Sequence, residues 1–304
     1  MKPRSVGTLW IGSPLSAYEE LCLRSFANAG YEVTLYLYDP SIAAPEGVTV
    51  ADANSIVPEK HMFENPDLPG SYALFANAFR YRMMAMTGFT WVDTDVVLLA
   101  DALPDTEFLY AWEDERRINN AILRVPRESN LLKDLVHQSS ALADPARREV
   151  PWGTYGPTLL TRLVVSQSLE RFALPPEALY PIGFIDRWRL FDPASREWGE
   201  DRCREASVLH LWNSALQSAG VKHLAPPPGS YLHELMLRHE VELPVTSISG
   251  SWVRRERRKS RRRTVERRLK PILRIWRRAR SRVLTVAHRS LIRPYRRLFR
   301  GGPG

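Results

Sequence analysis

The chain has 304 residues, 44% hydrophobic and 25% charged, a composition that excludes a disordered or fibrous protein over most of its length and supplies enough chain for one large or two ordinary domains. Its formal net charge of +9 hides a split: residues 254–300 hold 21 Lys/Arg against 2 Asp/Glu, so a basic segment of net +19 is joined to a remainder of net −10. Two cysteines, Cys22 and Cys203, are too few for a disulfide framework and lack metal-ligand spacing, which makes a reducing compartment the expectation. No apolar run follows the charged start of the chain as a signal peptide requires, and none reaches the ~18–20 residues of a membrane-spanning helix, so membrane contact is expected to be peripheral.

The first hundred residues alternate in type. Thr8 to Ile11 reads as a short buried strand, Ala17 to Ala29 as a helix stopped by Gly30, and Glu32 to Tyr38 as a second strand stopped by Asp39-Pro40. This β-α-β opening points to a parallel sheet with covering helices. Residues 40–70, rich in Pro, Asp, Asn and Gly, read as a long loop. Ser71 then caps a helix through Met86, with Tyr72, Phe75, Ala76, Phe79, Met83 and Met86 at helical spacing as core and Gly88 just beyond its end. Phe89 leads a strand into the run Val92 to Leu99. A helix from Asn130 to about Ala143 follows, then the turn Trp152 to Pro157 opening another helix to about Ser168, with Pro157 at its first position. Tyr180 to Phe191 is aromatic and irregular, Val208 to Trp212 reads as a strand or strand end, and a last helix lies near Tyr231 to His239.

Two carboxylates, Asp93 and Asp95, interrupt the apolar run 92–99. On a continuing strand they would face the same side, about 6.5–7 Å apart, and buried together they would repel unless a cation lay beside them. A hard divalent ion, Mg²⁺ or Mn²⁺, takes oxygen ligands and keeps positions for substrate phosphate oxygens. From the dipeptide pattern alone, a metal site for a diphosphate and a turn in which the carboxylates accept backbone N–H bonds both stand open.

In context the chain resembles the D-x-D glycosyltransferases of the α-1,4-glycosyltransferase-like group, family 32. The resemblance rests on Asn77-Ala78-Phe79-Arg80, Gly88 and Trp91-Val92-Asp93-Thr94-Asp95, then on Leu9-Trp10-Ile11-Gly12, Asn119-Asn120-Ala121-Ile122, Gly156 to Thr161 and His210-Leu211-Trp212-Asn213, in that family's order over about residues 7–215. It implies an α/β chain with the GT-A (Rossmann-like) fold, a mixed sheet with helices on both faces. The implied activity is metal-dependent, retaining transfer of a sugar from a nucleotide-diphosphate donor, a UDP-sugar, to a glycan or lipid-linked acceptor in polysaccharide or glycolipid biosynthesis.

The resemblance also implies site roles. Asp95 would bind Mn²⁺ (or Mg²⁺) directly, Asp93 would share the metal or hold the donor ribose, and His210 would be a further metal or diphosphate contact. Trp10 and Gly12 would line the donor site, and Trp212 would reach the distal phosphate through its indole N–H. Asn77 and Arg80 would read donor-sugar hydroxyls, and Asn120, with Asn119, would line the reacting end. The family has Asp where this chain has Asn77, so a charged acceptor becomes a neutral amide and Arg80 is expected to lose a carboxylate partner.

Parts of the sequence also admit other readings. Asp93-Thr94-Asp95-Val96-Val97 also matches the opening of haloacid-dehalogenase-type phosphatases, but none of the later lysines, Lys133, Lys222, Lys259 and Lys270, stands in the context those enzymes need. The arginine clusters of the basic segment could bind nucleic acid, a disfavoured reading, even with a catalytically inactive GT-A domain before them. Beyond Lys270, however, Ile272, Leu273, Trp276, Ala279, Val283, Val286, Ala287 and Leu291 recur at helical spacing among arginines, the pattern of an amphipathic helix on an anionic membrane. The expected organisation is a catalytic domain over 1–250 and a basic membrane-associating helical tail over 251–304, the protein being cytoplasmic and peripheral on the inner face of the membrane.

Overall fold

The computed structural model describes residues 4–65, 70–140 and 155–263. Three parallel strands open the chain: β1 (Ser5–Trp10), β2 (Glu32–Leu37) and β3 (Val48–Asp52), with helix α1 (Ala17–Asn28) crossing between the first two. Ser16 and Glu19 form a capping box at the start of α1, satisfying two of its otherwise orphaned N–H groups. The long loop expected over 40–70 instead contains β3. Its exposed Thr49 and Val50 lie on an edge strand, where the inward-outward alternation that reveals a strand in sequence is weak.

Helix α2 (Ala73–Thr87) follows, and Tyr72, not Ser71, occupies its N-cap; the Ser71 hydroxyl accepts only a long bond of 3.4 Å from the Ala73 N–H. At the other end Gly88 adopts φ 76° and donates its N–H to the Met84 carbonyl, the left-handed C-cap that an L side chain resists. Gly88→Ala is expected to cost roughly 1–2 kcal/mol of stability, because its Cβ would meet only the flexible Arg127 side chain at 3.2 Å and the backbone penalty would dominate. A thermal melt at or above that of the parent would refute this.

The expected single strand through 89–99 is broken at the carboxylates. Strand β4 (Thr90–Val92) joins the large sheet, while β5 (Val96–Leu98) leaves it to pair antiparallel with β8 (Val208–His210). Between them Asp93 to Asp95 make a turn closed by a 3.1 Å bond from the Val96 N–H to the Asp93 carbonyl. The large sheet is completed by the hairpin β6 (Leu109–Asp114) and β7 (Arg117–Arg124), giving the order β3-β2-β1-β4-β7-β6, parallel through β4 and antiparallel beyond.

Helices cover both faces of this mixed sheet, the α/β architecture the sequence predicts. On one face α2 packs with α3 (Asn130–Ser139) and α4 (Pro157–Ser166) on Leu9, Tyr36, Trp91 and Leu123; on the other, α1 and α5 (Pro176–Leu179) bury Val33, Leu35, Val92 and Ile122. The alternation along each strand divides its residues between the two cores. Pro157 holds the first position of α4, as expected. The third helix is described only to Ser140, so its expected end near Ala143 and the turn at 152–154 lie outside the described residues.

A third core, built on Trp188, Phe191, Leu209 and Leu211, is closed by α6 (Arg196–Cys203), α7 (Asn213–Ser218) and α8 (Tyr231–Arg238). The last expected strand thus ends at His210, and Trp212 opens α7. The chain divides into two compact units, Met1–Val253 and Arg254–Gly304. Residues 250–263 are helical, and Val253 is fully buried while Trp252 meets Trp188 edge-on at 5.1 Å. The amphipathic stripe from Ile272 to Leu291 lies outside the described residues. No helix among the described residues is long and apolar enough to cross a membrane.

Candidate active site

A cavity of about 530 Å³ opens at the carboxyl ends of β1 and β4, where open α/β sheets hold their ligands. Trp10, Gly12, Asn77, Arg80, Asn120 and Trp212 all line it together with Asp93, Asp95 and His210, so the fold gathers the donor-site, metal-site and catalytic candidates of the sequence around one hollow.

The β4–β5 turn supplies the two carboxylates and β8 brings the imidazole. In the β5–β8 ladder Val96 is the register partner of His210, which sets the ring beside the turn. One ligand atom from each of Asp93, Asp95 and His210 can be chosen so that all three lie within 4.8 Å of one another. His210 Nε2 is 3.2 Å from Asp95 Oδ1, and the Asn213 N–H donates to Asp95 Oδ2 at 2.9 Å. The pair thus lies in a turn that accepts a backbone N–H, and the same turn clusters its carboxylate oxygens with the His210 nitrogen.

Arg80 does not lack a carboxylate. It donates to Asp93 Oδ1 at 2.6 Å, and the Trp91 indole N–H donates to the same oxygen at 2.6 Å. The carboxylate missing at position 77 would have stood one turn away on the helix; the one Arg80 meets comes from the turn that follows β4. Arg80 also donates to the Asn120 carbonyl at 2.7 Å and its guanidinium stacks 4.8 Å from the Trp91 ring. Asn77 Nδ2 donates to the Ala73 carbonyl at 2.9 Å, and Asn77 Oδ1 accepts from Asn120 Nδ2 at 2.9 Å. A Cβ at Gly156 would come within 3.0 Å of this amide, so the glycine at the head of α4 makes room for it.

Trp212 differs from its expected role. Its indole N–H donates to the Ile182 carbonyl at 3.1 Å, which leaves its ring, centred 4.0 Å from that of His210 and tilted 40° to it, as the cavity wall. The residue adopts φ 60°, a conformation costing a bulky side chain on the order of 1 kcal/mol or more, and these two contacts hold it there. The Trp10 indole N–H is likewise committed, to the Ser13 carbonyl at 2.7 Å.

The charges of the site are unequal in kind. Burial pushes the Asp93 carboxyl up, Arg80 pulls it down, and the adjoining Asp95 charge leaves it raised. Burial also opposes charge on Asp95, but His210, by its charge and hydrogen bond, and the Asn213 N–H together hold it below the ordinary carboxylate value. On His210 burial disfavours the proton, yet Asp95 first, with Asp93 and Glu113 behind it, raises the pKa. The two carboxylates repel each other when both are charged, the imidazole can ligate a metal only as the neutral base, and a divalent cation would relieve the carboxylate repulsion while taking the place of the His210 proton. The donor set, oxygen-rich with one nitrogen, fits Mn²⁺ or Mg²⁺.

Sequence reasoning passed over several residues of the cavity. Glu19 has a side chain only 1% exposed, accepts from Asn213 Nδ2 at 2.6 Å and pairs with Lys222 at 2.8 Å. Lys222 in turn sits 4.6 Å over the Trp10 ring, a cation on an aromatic face. The signal Ser16-x-x-Glu19 was readable as a capping box, but nothing local tells that the same carboxylate also reaches α7. Glu113 and Arg117, on the β6–β7 hairpin, line the cavity as well.

No family model matches the chain. Lactosylceramide 4-alpha-galactosyltransferase of Mus musculus is 28% identical over 191 residues, 59% of this chain and 50% of that protein; that of Rattus norvegicus is 26% identical over 195 residues, again 59% and 50%. The chain is thus similar in sequence to glycosyltransferases, and it spans about half the length of these curated relatives. Among solved structures, the PaToxG glycosyltransferase is 13% identical with a TM-score of 0.40, over 55% of this chain and 70% of that one.

Proposed function

We propose that the protein is a metal-dependent glycosyltransferase that moves a sugar from a nucleotide-diphosphate donor, a UDP-sugar, to a glycan or lipid-linked acceptor with retention of anomeric configuration. The observation that carries this reading is the convergence of Asp93, Asp95 and His210 within 4.8 Å in a cavity of a size that suits a nucleotide sugar. The relatives' printed names, which specify an α-galactosyltransferase with a glycolipid acceptor, support the class of donor and acceptor.

Asp93, Asp95 and His210 would hold the metal, Mn²⁺ before Mg²⁺ given the imidazole, and the bound ion supplies positive charge against the leaving diphosphate. Arg80 and the Trp91 indole N–H fix the orientation of Asp93; His210 and the Asn213 N–H fix Asp95. Asn77 and Asn120 present amide groups toward the sugar. In the reaction the bond from the anomeric carbon to the diphosphate oxygen breaks, the acceptor oxygen bonds to that carbon on the same face, and the acceptor proton passes to the departing phosphate. The protein's part is to hold acceptor and leaving phosphate on that one face of the sugar and exclude water.

A donor screen tests the reading: several UDP- and GDP-sugars, with Mn²⁺ and with EDTA, followed by nucleotide release. Release from at least one donor that stops in EDTA is the expected result; no release and no metal-dependent nucleotide binding by any of them would end it. A second prediction concerns Asn77. Asn77→Asp removes the donor to the Ala73 carbonyl and puts a carboxylate in the sugar-reading position, so it should change the ratio of rates between two donor sugars more than the affinity for free UDP. Equal effects on both quantities would make Asn77 purely structural.

The membrane tail is a proposal as well, resting on the +19 charge of residues 254–300 and the apolar spacing beyond Lys270. It would hold the enzyme on the cytoplasmic face of the membrane, next to lipid-linked acceptors.

A further inference from the structure

The β6–β7 hairpin carries polar groups that the donor site does not use. In its ladder Trp112 pairs with Ile118 and Asp114 with Arg117. Two steps along β6 therefore face one step along β7, and Glu113 is the extra residue of a β-bulge. A bulge re-aims the side chain it carries and recurs beside active sites. Here it turns the Glu113 carboxylate into the cavity, where its side chain is 12% exposed. Arg117 pairs with Oε1 at 2.5 Å and Asn119 Nδ2 donates to Oε2 at 2.9 Å, while Asn119 Oδ1 is fixed by the Ala121 N–H at 2.7 Å. A hairpin salt bridge kept only for stability has no need of a bulge or of a second anchor on the carboxylate.

Each carboxylate oxygen retains a free lone-pair direction after one such bond, so Glu113 presents two fixed, charged acceptors to a ligand rich in hydroxyl donors. Its location selects which ligand. Asn120 faces Asn77, on the side assigned above to the donor sugar; its neighbour Asn119 faces Glu113. Arg117, 40% exposed, marks this as the rim of the cavity, open to a second substrate after the donor is seated. We infer that Glu113, oriented by Arg117 and Asn119, is the acceptor subsite, accepting hydrogen bonds from hydroxyls of a pyranose acceptor. The inference rests on the glycosyltransferase reading and adds the residue that recognises the second substrate.

Saturation-transfer NMR on the full chain with Mn²⁺ and UDP tests it, with methyl β-galactoside, methyl β-glucoside, methyl α-mannoside and octyl β-lactoside as probes, and UDP affinity measured alongside by calorimetry. The parent should bind at least one glycoside. Glu113→Gln, which keeps the shape and removes the charge, should weaken that glycoside roughly ten- to hundred-fold, the range for a hydrogen bond to a charged group, and leave UDP affinity within about twofold. Arg117→Gln, at the rim, should weaken it less and in the same direction, and it carries the test if Glu113→Gln does not fold. Glycoside binding unchanged in the variants, lost in step with UDP, or absent from the parent would overturn the inference. A parent that binds no nucleotide at all would instead overturn the parent reading.

Discussion

Replacing Asp95 by Ala should reduce sugar transfer by on the order of 10³-fold or more, since one of the three groups proposed to hold the metal goes and with it the several kcal/mol of charge stabilisation that a bound cation would supply. The effect on folding is smaller and has two opposing parts. The like charge beside Asp93 disappears, which favours the fold, whereas the Asn213 N–H and His210 lose the acceptors they meet at 2.9 and 3.2 Å, at a cost of about 1–3 kcal/mol for a buried donor left unpaired. Asp95→Asn separates the two roles: its carbonyl still accepts from Asn213 but its charge is gone. It should melt close to the parent and be as inactive as Asp95→Ala. Full activity in either variant, or activity undiminished by EDTA, would contradict the assignment of Asp95.

The second large effect is expected at the membrane. Truncation after Val253 keeps the buried Val253 and the Trp252–Trp188 contact, so the first compact unit retains its own packing, while the net +19 of residues 254–300 is removed. Each basic residue near an anionic surface contributes on the order of 1 kcal/mol before saturation, and an apolar helical face adds burial. Binding to vesicles containing anionic lipid should therefore fall at least a hundred-fold on truncation, and binding of the full chain should weaken with salt. Activity on a soluble acceptor should persist and activity on a lipid-embedded one should drop. Trp276→Ser with Leu291→Ser distinguishes the partner: loss of vesicle binding with RNA or DNA binding unmoved fits a membrane anchor, while a tail for nucleic acid would depend on charge alone. Vesicle binding by the truncated protein equal to that of the full chain would refute the anchor.

Though it reads β3 as loop and β4 with β5 as one strand, the sequence by itself carried the α/β class, the opening β-α-β, helices α2, α3, α4 and α8 in chain order, and the out-of-place carboxylates of the 92–99 run. These features are local: Ala17 to Asn28 is helical because its apolar residues recur at helical spacing behind a capping box, and Asp93 and Asp95 are conspicuous because charge is out of place in an apolar run. Tertiary structure decided how those groups meet. The break of the 89–99 run into β4 and β5 follows from the pairing of β5 with β8, more than 110 residues later in the chain; that pairing turns two carboxylates on a supposed strand into a turn facing His210. Arg80 found its partner in Asp93, Glu19 reached Asn213 and Lys222, and Trp212 spent its N–H on Ile182. None of these has a sequence period, since each depends on which elements pack side by side. The bulge at Glu113 belongs to the same class, because an inserted residue shows only against the strand it fails to pair with, and that strand's register is fixed by the hairpin and by the neighbouring β4 in the folded sheet.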